Sequence, residues 1–417
     1  MRPREERPPI SEAVTFPVLT GPFRWLVLAH GVSALAFWSY FGTVFAQATF
    51  RFGAGTAQMA ILGASLSVPF ILGSLLQGLV VDRWSPKWLS FIGYLILAAA
   101  VPTAWAGGSL AWLYVSSFMV GGAFATIEPA RSALTALLVP EKGLVRANGA
   151  IAVSFQLSLV IGTLGAGALL GPDAHGAGLV YGSALAAAAL ALVFVPLIPD
   201  VRHGGERPEL TLTDLRVGAR TAWHYTQLRL LLLVTGLGWT LINVFFVLEP
   251  LLVKGTLHRG QDAVLYLWGA HGLGALAGAT AITRTRRGVG REAMIVCAGV
   301  VLVGAGILIY AGVGVYTVAL AGAAISGCGF GFIFPPLLAL IQRTVREEQR
   351  GRVTSVFVAL QESMGLVSSL ALLALAGVIV VRPTVVVSGA VLAAMGLVGF
   401  RAGRAGDRVI VDDETAV

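Results

Sequence analysis

Long apolar runs separated by short polar loops make up most of this chain. An apolar run of about 20 residues can cross the hydrocarbon core of a bilayer as an α-helix. Twelve such runs lie at residues 26–49, 57–80, 88–107, 110–138, 148–170, 178–198, 229–252, 263–283, 292–311, 313–341, 353–381 and 383–402. The pattern therefore predicts an all-α membrane protein with twelve transmembrane helices.

One stretch of the chain occurs twice. Gly121–Arg146 recurs without gaps 206 residues later as Gly327–Arg352, and nine of the 26 aligned positions are identical. Chance gives about two or three identities in a chain this rich in a few residue types. Many secondary transporters are built from duplicated membrane halves, with the substrate path between them. We therefore expect two pseudo-symmetric halves of six helices each.

The longest polar interruption lies midway along the chain. It opens at Pro199 with Pro, Gly and charged residues, which is typical of a flexible linker. We predict disordered cytoplasmic tails at 1–22 and 403–417, a first half at 23–198, a cytoplasmic linker at 199–228 and a second half at 229–402.

A short amphipathic helix is predicted inside this linker. Thr213 and Asp214 suit an N-cap and first turn. One face then carries Leu212, Leu215, Ala219 and Ala222, the opposite face carries Arg216 and Arg220, and Trp223 and Tyr225 follow. The pattern favours a helix lying on the inner membrane surface, with a partner-binding helix as the alternative.

Composition and charge agree with a membrane protein. Hydrophobic residues make up 56% of the chain and charged residues only 12%, about half the charged fraction of soluble domains. If both termini are cytoplasmic, only Arg51, Lys254, Arg259 and Arg382 of the 29 Lys and Arg residues fall in outer segments. The positive-inside rule then predicts cytoplasmic termini in a multi-pass protein of the cell inner (plasma) membrane.

The net charge of +8 requires no nucleic acid as a partner, because anionic membrane lipids attract basic loops. Cys297 and Cys328 both lie in predicted spans, so we expect no disulfide framework. The sequence shows no P-loop, paired metal-ligand spacing or nucleophile elbow. We therefore predict a monomer that is not an enzyme and carries neither metal nor cofactor.

The loop after the second run contains Gly78, Asp82, Arg83 and Lys87. This pattern resembles the signature of the major facilitator superfamily, which lies between its second and third helices. The resemblance implies the major facilitator fold and alternating access, with these residues as a cytoplasmic gating motif. Asp82 can cap or pair near a helix end, and the basic residues can bind carboxylates or helix C-termini. Ordinary positive-inside anchoring is the alternative for Lys87.

A second pattern brackets the next cytoplasmic loop: Pro129-Ala130-Arg131 precedes it, and Leu144-Val145-Arg146-Ala147-Asn148 follows. It resembles bacterial drug and siderophore exporters of the enterobactin-exporter and macrolide-efflux type, which implies efflux. The chain departs from this type where a Gly-Pro is usual, at Gly162-Thr163, and where a Gly-Asp pair is frequent, at Ala36-Phe37. These departures count against the antiporter pattern in the fifth helix and against a proton route through the first.

Three glutamates lie inside predicted spans: Glu128, Glu249 and Glu362. Desolvation penalises the charged form of a buried carboxylate, so intramembrane acids are candidates for proton coupling. Arg131 follows Glu128 at the i,i+3 spacing, and the pair either responds to protons or forms a permanent structural ion pair. Glu362 falls opposite Gln156 in the repeat. Glu249 either reaches the outer interface or lines an outer gate.

Two histidines, His30 and His271, also lie in spans, where each could relay protons or simply pack between helices. Aromatic residues crowd the first helix of each half and are candidate walls for an amphipathic ligand: Trp38, Tyr40, Phe41, Trp239 and Phe245. Packing or lipid contact is the alternative for these aromatics. Glycines in the fifth and eighth runs permit close helix packing, or motion, or both.

These patterns predict a secondary active transporter that exports a small amphipathic molecule (a drug, siderophore or secondary metabolite) by proton antiport. The expected partners are that substrate, protons and membrane lipids. Two alternatives remain open at this point. One is a proton-coupled importer or facilitator of a small solute, and the other is a non-transporting or lipid-scrambling membrane protein on the same scaffold.

Overall fold

The computed structural model describes residues 21–81, 85–140, 143–172, 176–201, 212–284 and 291–414. Within these ranges the regular structure is helical, and no strand is present. The α-helices are α1 (Phe23–Phe50), α2 (Thr56–Val81), α3 (Pro86–Ala106), α4 (Leu110–Leu138), α5 (Leu144–Leu170), α6 (Ala177–Phe194), α7 (Leu212–His224), α8 (Thr226–Gly255), α9 (Asp262–Arg284), α10 (Glu292–Gly312), α11 (Tyr316–Gly331), α12 (Phe334–Thr344), α13 (Glu347–Ala374) and α14 (Val381–Glu414).

In the described part of the chain, eleven helical segments are long and apolar enough to cross a membrane, with α11 and α12 together forming one of them. The predicted run at 263–283 forms α9, which is not among the eleven. Asp262, His271 and four glycines lower the hydropathy of this helix. It nevertheless packs between α5 and α11, in the position expected of a twelfth span. The all-helical membrane fold is thus confirmed, with α9 as its most polar member.

The same packing scheme occurs twice. In the first half, α4 packs on α2 and α3, while α1 packs on α5 and α6 and α3 packs on α6. In the second half, α11 packs on α9 and α10, while α8 packs on α13 and α14 and α10 packs on α14. The repeat in the sequence is therefore also a repeat in helix packing, with α7 joining the two halves.

The two halves meet along two equivalent pairs of helices. The second helix of each half packs on the fifth helix of the other, so that α2 contacts α13 and α5 contacts α9. Smaller contacts join α1 to α8 and α9. This pairing leaves α1, α4, α8 and α11 facing the region between the halves, where a substrate path is expected.

Large apolar side chains cover the outside of the bundle. Ile161, Leu179 and Val398 are 58%, 64% and 67% exposed. Soluble monomers rarely expose contiguous apolar surface on this scale, whereas a bilayer accepts it. The exposed apolar surface is therefore the surface that faces lipid.

The repeat is broken where prolines differ. In the first half, α4 runs uninterrupted through Pro129. In the second half the predicted run at 313–341 is two helices, because α11 ends at Gly331 and α12 begins at Phe334. The equivalent of Pro129-Ala130 is Pro335-Pro336, which removes a second backbone N–H donor. Two adjacent prolines suit a helix start rather than a helix interior, which explains the break.

Glycines allow α9 and α11 to cross with their backbones in contact. A Cβ atom added at Gly274 would lie 2.0 Å from the Ala324 carbonyl oxygen, and one at Gly278 would lie 2.2 Å from that of Cys328. From the other side, a Cβ at Gly327 would lie 1.8 Å from the His271 carbonyl oxygen. Close packing accounts for these glycines of the eighth run.

The linker helix forms as α7, but it does not lie only against the membrane. The face that carries Gly218 and Ala222 packs on α13. Ala222 is fully buried, and a Cβ at Gly218 would lie 2.5 Å from the Arg352 carbonyl oxygen. Ala219, predicted on the apolar face, is exposed like Arg216 and Arg220. The helix therefore packs within the protein through only part of its predicted apolar face.

The carboxyl-terminal segment differs from the predicted disordered tail. Helix α14 continues beyond the predicted end of the last span, at 402, as far as Glu414. Gly403 and Gly406 are poor helix formers and stand just past the predicted end, but no proline follows Pro383, and the helix continues through both glycines.

Candidate transport site

A polar cluster lies on the inner side of the first half. The Arg131 side chain donates two hydrogen bonds to Glu128 Oε2, from Nε at 3.0 Å and from Nη2 at 2.7 Å. His30 Nδ1 on α1 lies 3.9 Å from the other carboxylate oxygen. Glu128 is 30% exposed and Arg131 18% exposed. The predicted pair therefore exists and is partly accessible, and His30 of α1 lies beside it without a hydrogen bond from Nδ1 to any described residue.

Glu362 faces this cluster from the other half. It lies on α13 and is close enough to Glu128 for the two carboxylates to repel each other. Within the described part of the chain, no hydrogen bond or ion pair of Glu362 is present, so its charge is not neutralised as that of Glu128 is. One turn further along α13, Gly365 lies opposite Ser67 of α2 and Asn243 of α8.

Gln156, the repeat partner of Glu362, lies at the opposite interface. Its side-chain amide donates a hydrogen bond of 3.3 Å to the Gly272 carbonyl oxygen on α9. It thus helps to hold α5 against α9. The structure does not bring Gln156 and Glu362 together, since they belong to the two different helix pairs that join the halves.

A chain of aromatic rings connects the halves. On α1, the Phe41 ring centroid lies 5.1 Å from that of Trp268 on α9, and Trp38 lies 6.3 Å from Trp268. The remaining members each have another ring of the chain within 6.3 Å: Phe37, Phe124, Phe155, Trp239, Phe246, His271, Phe330 and Phe334. Phe155 stacks on His30, which links these rings to the ion pair. Apolar rings around a few polar groups suit an amphipathic ligand.

Two of the predicted cavity aromatics are buried. Tyr40 is fully buried and its hydroxyl bonds to Ser116 on α4, at 2.5 Å. Its side chain points into the core of its own half, because helical periodicity turns it away from Phe41. Phe245 is 4% exposed and packs edge-on against Tyr310 on α10, but its ring centroid also lies 5.5 Å from that of Phe246, so it adjoins the ring chain. Trp38, Phe41 and Trp239 do belong to the ring chain.

Glu249 is buried inside the second half, which corrects the expectation that it could reach the outer interface. It is 1% exposed. Trp268 Nε1 donates to one carboxylate oxygen at 2.6 Å, and the Tyr310 hydroxyl donates to the other at 2.7 Å. Trp268 also contacts Trp38 and Phe41 of the first half. The Glu249 carboxylate is therefore hydrogen-bonded to a side chain that forms part of the contact between the halves.

His271 is also buried, at 9% exposure. Its ring packs edge-on against Phe246 at 5.7 Å and Phe330 at 5.1 Å. These contacts place it within the ring chain, on the same helix and one turn beyond Trp268. Its position is that of a packing residue beside the path, and a proton-relay role remains a hypothesis.

The halves are in contact where α1 and α8 end. Lys254 at the end of α8 donates to the Thr49 carbonyl oxygen at the end of α1, at 3.0 Å, and its ammonium lies 5.6 Å from the Phe50 ring. A cation at a helix C-terminus is favourable because the last carbonyl groups there lack intrahelical partners. Lys254 therefore holds the halves together at this end.

The residues of the gating motif are only partly described. Gly78 falls within α2, and Asp82 and Arg83 lie outside the described residues. Lys87 donates to the Pro196 carbonyl oxygen at 3.1 Å, a contact within the first half. This contact agrees with a structural role for Lys87 at the end of α6.

The second half carries an ion pair that was not predicted. Arg343 near the end of α12 donates to Glu292 at the start of α10, at 2.6 Å. Glu292 is almost fully buried and Arg343 is 48% exposed. An acid at a helix start and a base at a helix end both interact favourably with the helix dipoles. The aligned position in the first half is Leu137, so the repeat carried no signal for this pair.

The aromatic residues missed by the sequence reasoning share one feature. Phe155, Trp268 and Phe330 lie outside the first helix of each half. The prediction considered only the first helix of each half, so rings contributed by α5, α9 and α11 were overlooked. Trp268 could have been recognised from the sequence as a candidate site residue, because it lies one helical turn from His271 in the least apolar span.

Two six-helix halves with polar groups between them define a multi-pass membrane protein of the transporter class. A sequence model of the Major Facilitator Superfamily matches residues 26–369. The chain therefore belongs to the major facilitator superfamily, and it is a transporter of that family.

Known proteins resemble this chain at two levels. An uncharacterized MFS-type transporter of Bacillus subtilis (strain 168), YfiS, is 26% identical over 359 residues, covering 83% of this chain and 84% of the relative. The crystal structure of the nucleoside transporter NupG matches with a TM-score of 0.69 at 14% identity, covering 92% of this chain and 99% of NupG. A bacterial homolog of the human lysosomal transporter Spinster matches with a TM-score of 0.66 at 13% identity, covering 94% of this chain and 98% of the homolog. At these identities the solved structures support the fold alone.

Proposed function

We propose that this protein exports a small amphipathic molecule in exchange for protons. Substrate binds among the aromatic rings between the halves, and Glu362 together with the Glu128–Arg131 pair carries the proton coupling. The observation that supports this most directly is the repulsion between the Glu362 and Glu128 carboxylates, which lie on the two halves that must move.

The charge balance explains how a proton could change the preferred state. Arg131 compensates Glu128, whereas Glu362 adds a negative charge with no described partner. Protonation of Glu362 removes the repulsion between α13 and α4, so it favours the arrangement in which these helices approach. Alternating access requires only that protons bind the two states differently.

The ring chain explains the class of substrate. Stacked and edge-on rings present broad apolar faces, and a bulky apolar molecule can exchange one ring contact for another. Within the described residues, the buried Trp38 Nε1 has no hydrogen-bond partner. A ligand acceptor would satisfy this donor, because buried N–H groups are rarely left unpaired. The efflux direction itself rests on the resemblance to enterobactin and macrolide exporters.

The test is flux in inside-out proteoliposomes with an acidic lumen, using a panel of lipophilic drugs and siderophores. A proton-driven exporter accumulates its substrate in the lumen and stops when an ionophore dissipates the pH gradient. Release of solute from the lumen would instead identify a symporter, and pH-independent equilibration would identify a facilitator. Lipid movement without saturable solute flux would identify a scramblase.

Glu362→Gln tests the assigned coupling residue. The amide keeps the size of the carboxyl group but cannot exchange a proton, so accumulation should fall to the level reached without a pH gradient. Substrate binding to the purified variant should stay close to wild type. Wild-type coupled transport across the pH range in this variant would exclude Glu362 as the coupling group.

A further inference from the structure

Helix α7 and the start of α8 form a basic groove. Ala219, Arg220, Trp223 and His224 line a groove with a volume of about 440 Å³. The Arg229 guanidinium, from α8, lies 5.8 Å from the Trp223 ring. We call these five residues the α7 groove. Two arginines and an aromatic ring thus converge on one exposed site.

The α7 groove is held in a fixed orientation. On the opposite face of α7, Ala222 is buried and Gly218 meets the backbone of α13 at Arg352. The Thr221 hydroxyl donates to the Gln349 side-chain oxygen at 3.4 Å. Because these contacts fix the rotation of α7 about its axis, Arg220 and Trp223 must point away from the protein.

The arginines of the groove are not neutralised by the described protein. The three ion pairs within the described residues involve neither Arg220 nor Arg229. Both guanidinium groups are therefore available to an anion. An arginine fork binds phosphate oxygens with two parallel hydrogen bonds, which makes a phosphate group the best-matched ligand.

The position of the groove selects a lipid over a free anion. It lies next to the first residue of the α8 span, Thr226. Trp223 is 52% exposed and Tyr225 is 37% exposed. Exposed Trp and Tyr beside a span favour the headgroup layer, where their rings contact acyl chains and their polar atoms remain hydrated.

We propose that the α7 groove binds the phosphate of an anionic lipid headgroup, with Trp223 packed against the lipid. Arg220 and Arg229 bind the phosphate oxygens. Because α7 is packed on α13, and α13 joins the two halves through α2, a bound lipid also stabilises α13 against movement. This inference does not depend on which solute is carried or in which direction.

The experiment measures phosphatidylglycerol binding to the purified full-length protein in detergent, by the rise in thermal unfolding temperature as lipid is titrated. Wild type should respond to phosphatidylglycerol and not to phosphatidylcholine. Arg220→Gln/Arg229→Gln should weaken the apparent affinity about 30-fold, as expected for two basic residues at an anionic membrane surface. Adding Trp223→Ala to this double variant should weaken the apparent affinity for phosphatidylglycerol further.

Arg259→Gln is the matched control. Arg259 also lies over an aromatic ring, 5.2 Å from Tyr316, but at the other end of the bundle. This variant should titrate like wild type. If the double variant unfolds without lipid, Arg220→Gln alone, whose side chain is exposed on α7, should weaken the apparent affinity about fivefold. An unchanged titration in the variants, an equal response to phosphatidylcholine, or an equal response to inorganic phosphate overturns the proposal.

Discussion

Glu128 and Glu362 differ in how their charges are balanced. Arg131 donates two hydrogen bonds to Glu128, whereas Glu362 has no described partner. Sequence spacing alone predicted the first contact, because residues three apart share a helix face. It could not predict the approach of Glu362 to Glu128, since that depends on how two halves dock.

Arg131→Gln should destabilise the protein and stop transport. The change leaves the Glu128 charge uncompensated, and removing one partner of a fully buried pair costs about 3–5 kcal/mol. Since Glu128 is 30% exposed, solvent screening reduces the expected loss to about 1–2 kcal/mol. The measurement is the free energy of unfolding in detergent, alongside proteoliposome flux.

The double variant Glu128→Gln/Arg131→Gln separates structure from function. With both charges removed, no uncompensated charge remains, so most of the stability should return. Transport should stay low if the pair takes part in coupling. Recovery of wild-type flux together with stability would show that the pair is only structural.

Glu249 provides a second residue-level prediction. Leucine at this position leaves the Trp268 N–H and the Tyr310 hydroxyl without their acceptor, and an unsatisfied buried donor costs about 1–3 kcal/mol. Glu249→Leu should therefore lower the free energy of unfolding by at least that amount. Glu249→Gln should cost less, because the amide oxygen accepts from Trp268 and the amide nitrogen can donate to the Tyr310 oxygen.

Trp268→Phe supplies the control for Glu249. It removes the indole donor, so the penalty of Glu249→Leu should be smaller in the Trp268→Phe background. Equal penalties in the two backgrounds would show that the Trp268–Glu249 hydrogen bond of 2.6 Å contributes little. The sequence alone identified Glu249 as an acid inside a span. It could not identify the hydrogen-bond donors Trp268 and Tyr310, because they lie 19 and 61 residues away along the chain.

At the scale of helices, the pattern of hydrophobic residues predicted well which membrane helices exist, and less well where each helix begins and ends. Apolar runs located the spans because the bilayer requires a continuous apolar stretch. The split between α11 and α12 was missed, although Pro335-Pro336 marked it. The last span ends at 402, as predicted, but the helix continues to Glu414, because hydropathy reports where a helix leaves the membrane rather than where it ends.

Helix α9 packs against α11 through glycines that let the two backbones come into contact. Gly274→Ala places a Cβ only 2.0 Å from the Ala324 carbonyl oxygen. The two helices must separate, and such overpacking costs about 1–3 kcal/mol. We expect a matching loss of thermal stability in detergent.

Gly165→Ala is the matched control for this crossing. Gly165 lies within α5, and a Cβ there would meet nothing within 4 Å. Alanine favours the helical state by up to about 1 kcal/mol over glycine, so stability should hold or rise. Equal losses in the two variants would mean that glycine flexibility, rather than close packing, explains the glycine-rich helices.

At the scale of the whole molecule, the duplicated packing scheme implies that each half moves as a unit. The cross-half contacts of α2 with α13 and of α5 with α9 must then change during transport, while contacts within a half persist. The sequence repeat predicted two halves, but it held no information on which helices join them. That pairing is a property of the docked surfaces.

Cross-linking tests this division. A Cβ on Gly63 of α2 lies 3.9 Å from the Ser369 Cβ on α13, within the range of about 3.5–4.5 Å that disulfides span. Gly63→Cys/Ser369→Cys, in a background with Cys297 and Cys328 replaced by alanine, should therefore form a disulfide on oxidation. Flux in proteoliposomes should fall to background and return on reduction, because the bond ties the two halves together.

Gly31→Cys/Ser154→Cys is the control, because α1 and α5 belong to the same half. A Cβ on Gly31 lies 3.5 Å from the Ser154 Cβ, so this pair should also form a disulfide. After oxidation, flux should stay near the level of the reduced form, because a bond within one rigid half does not restrict movement between the halves. If both cross-links block transport equally, motion within the first half is required, and two rigid halves cannot describe the transport cycle.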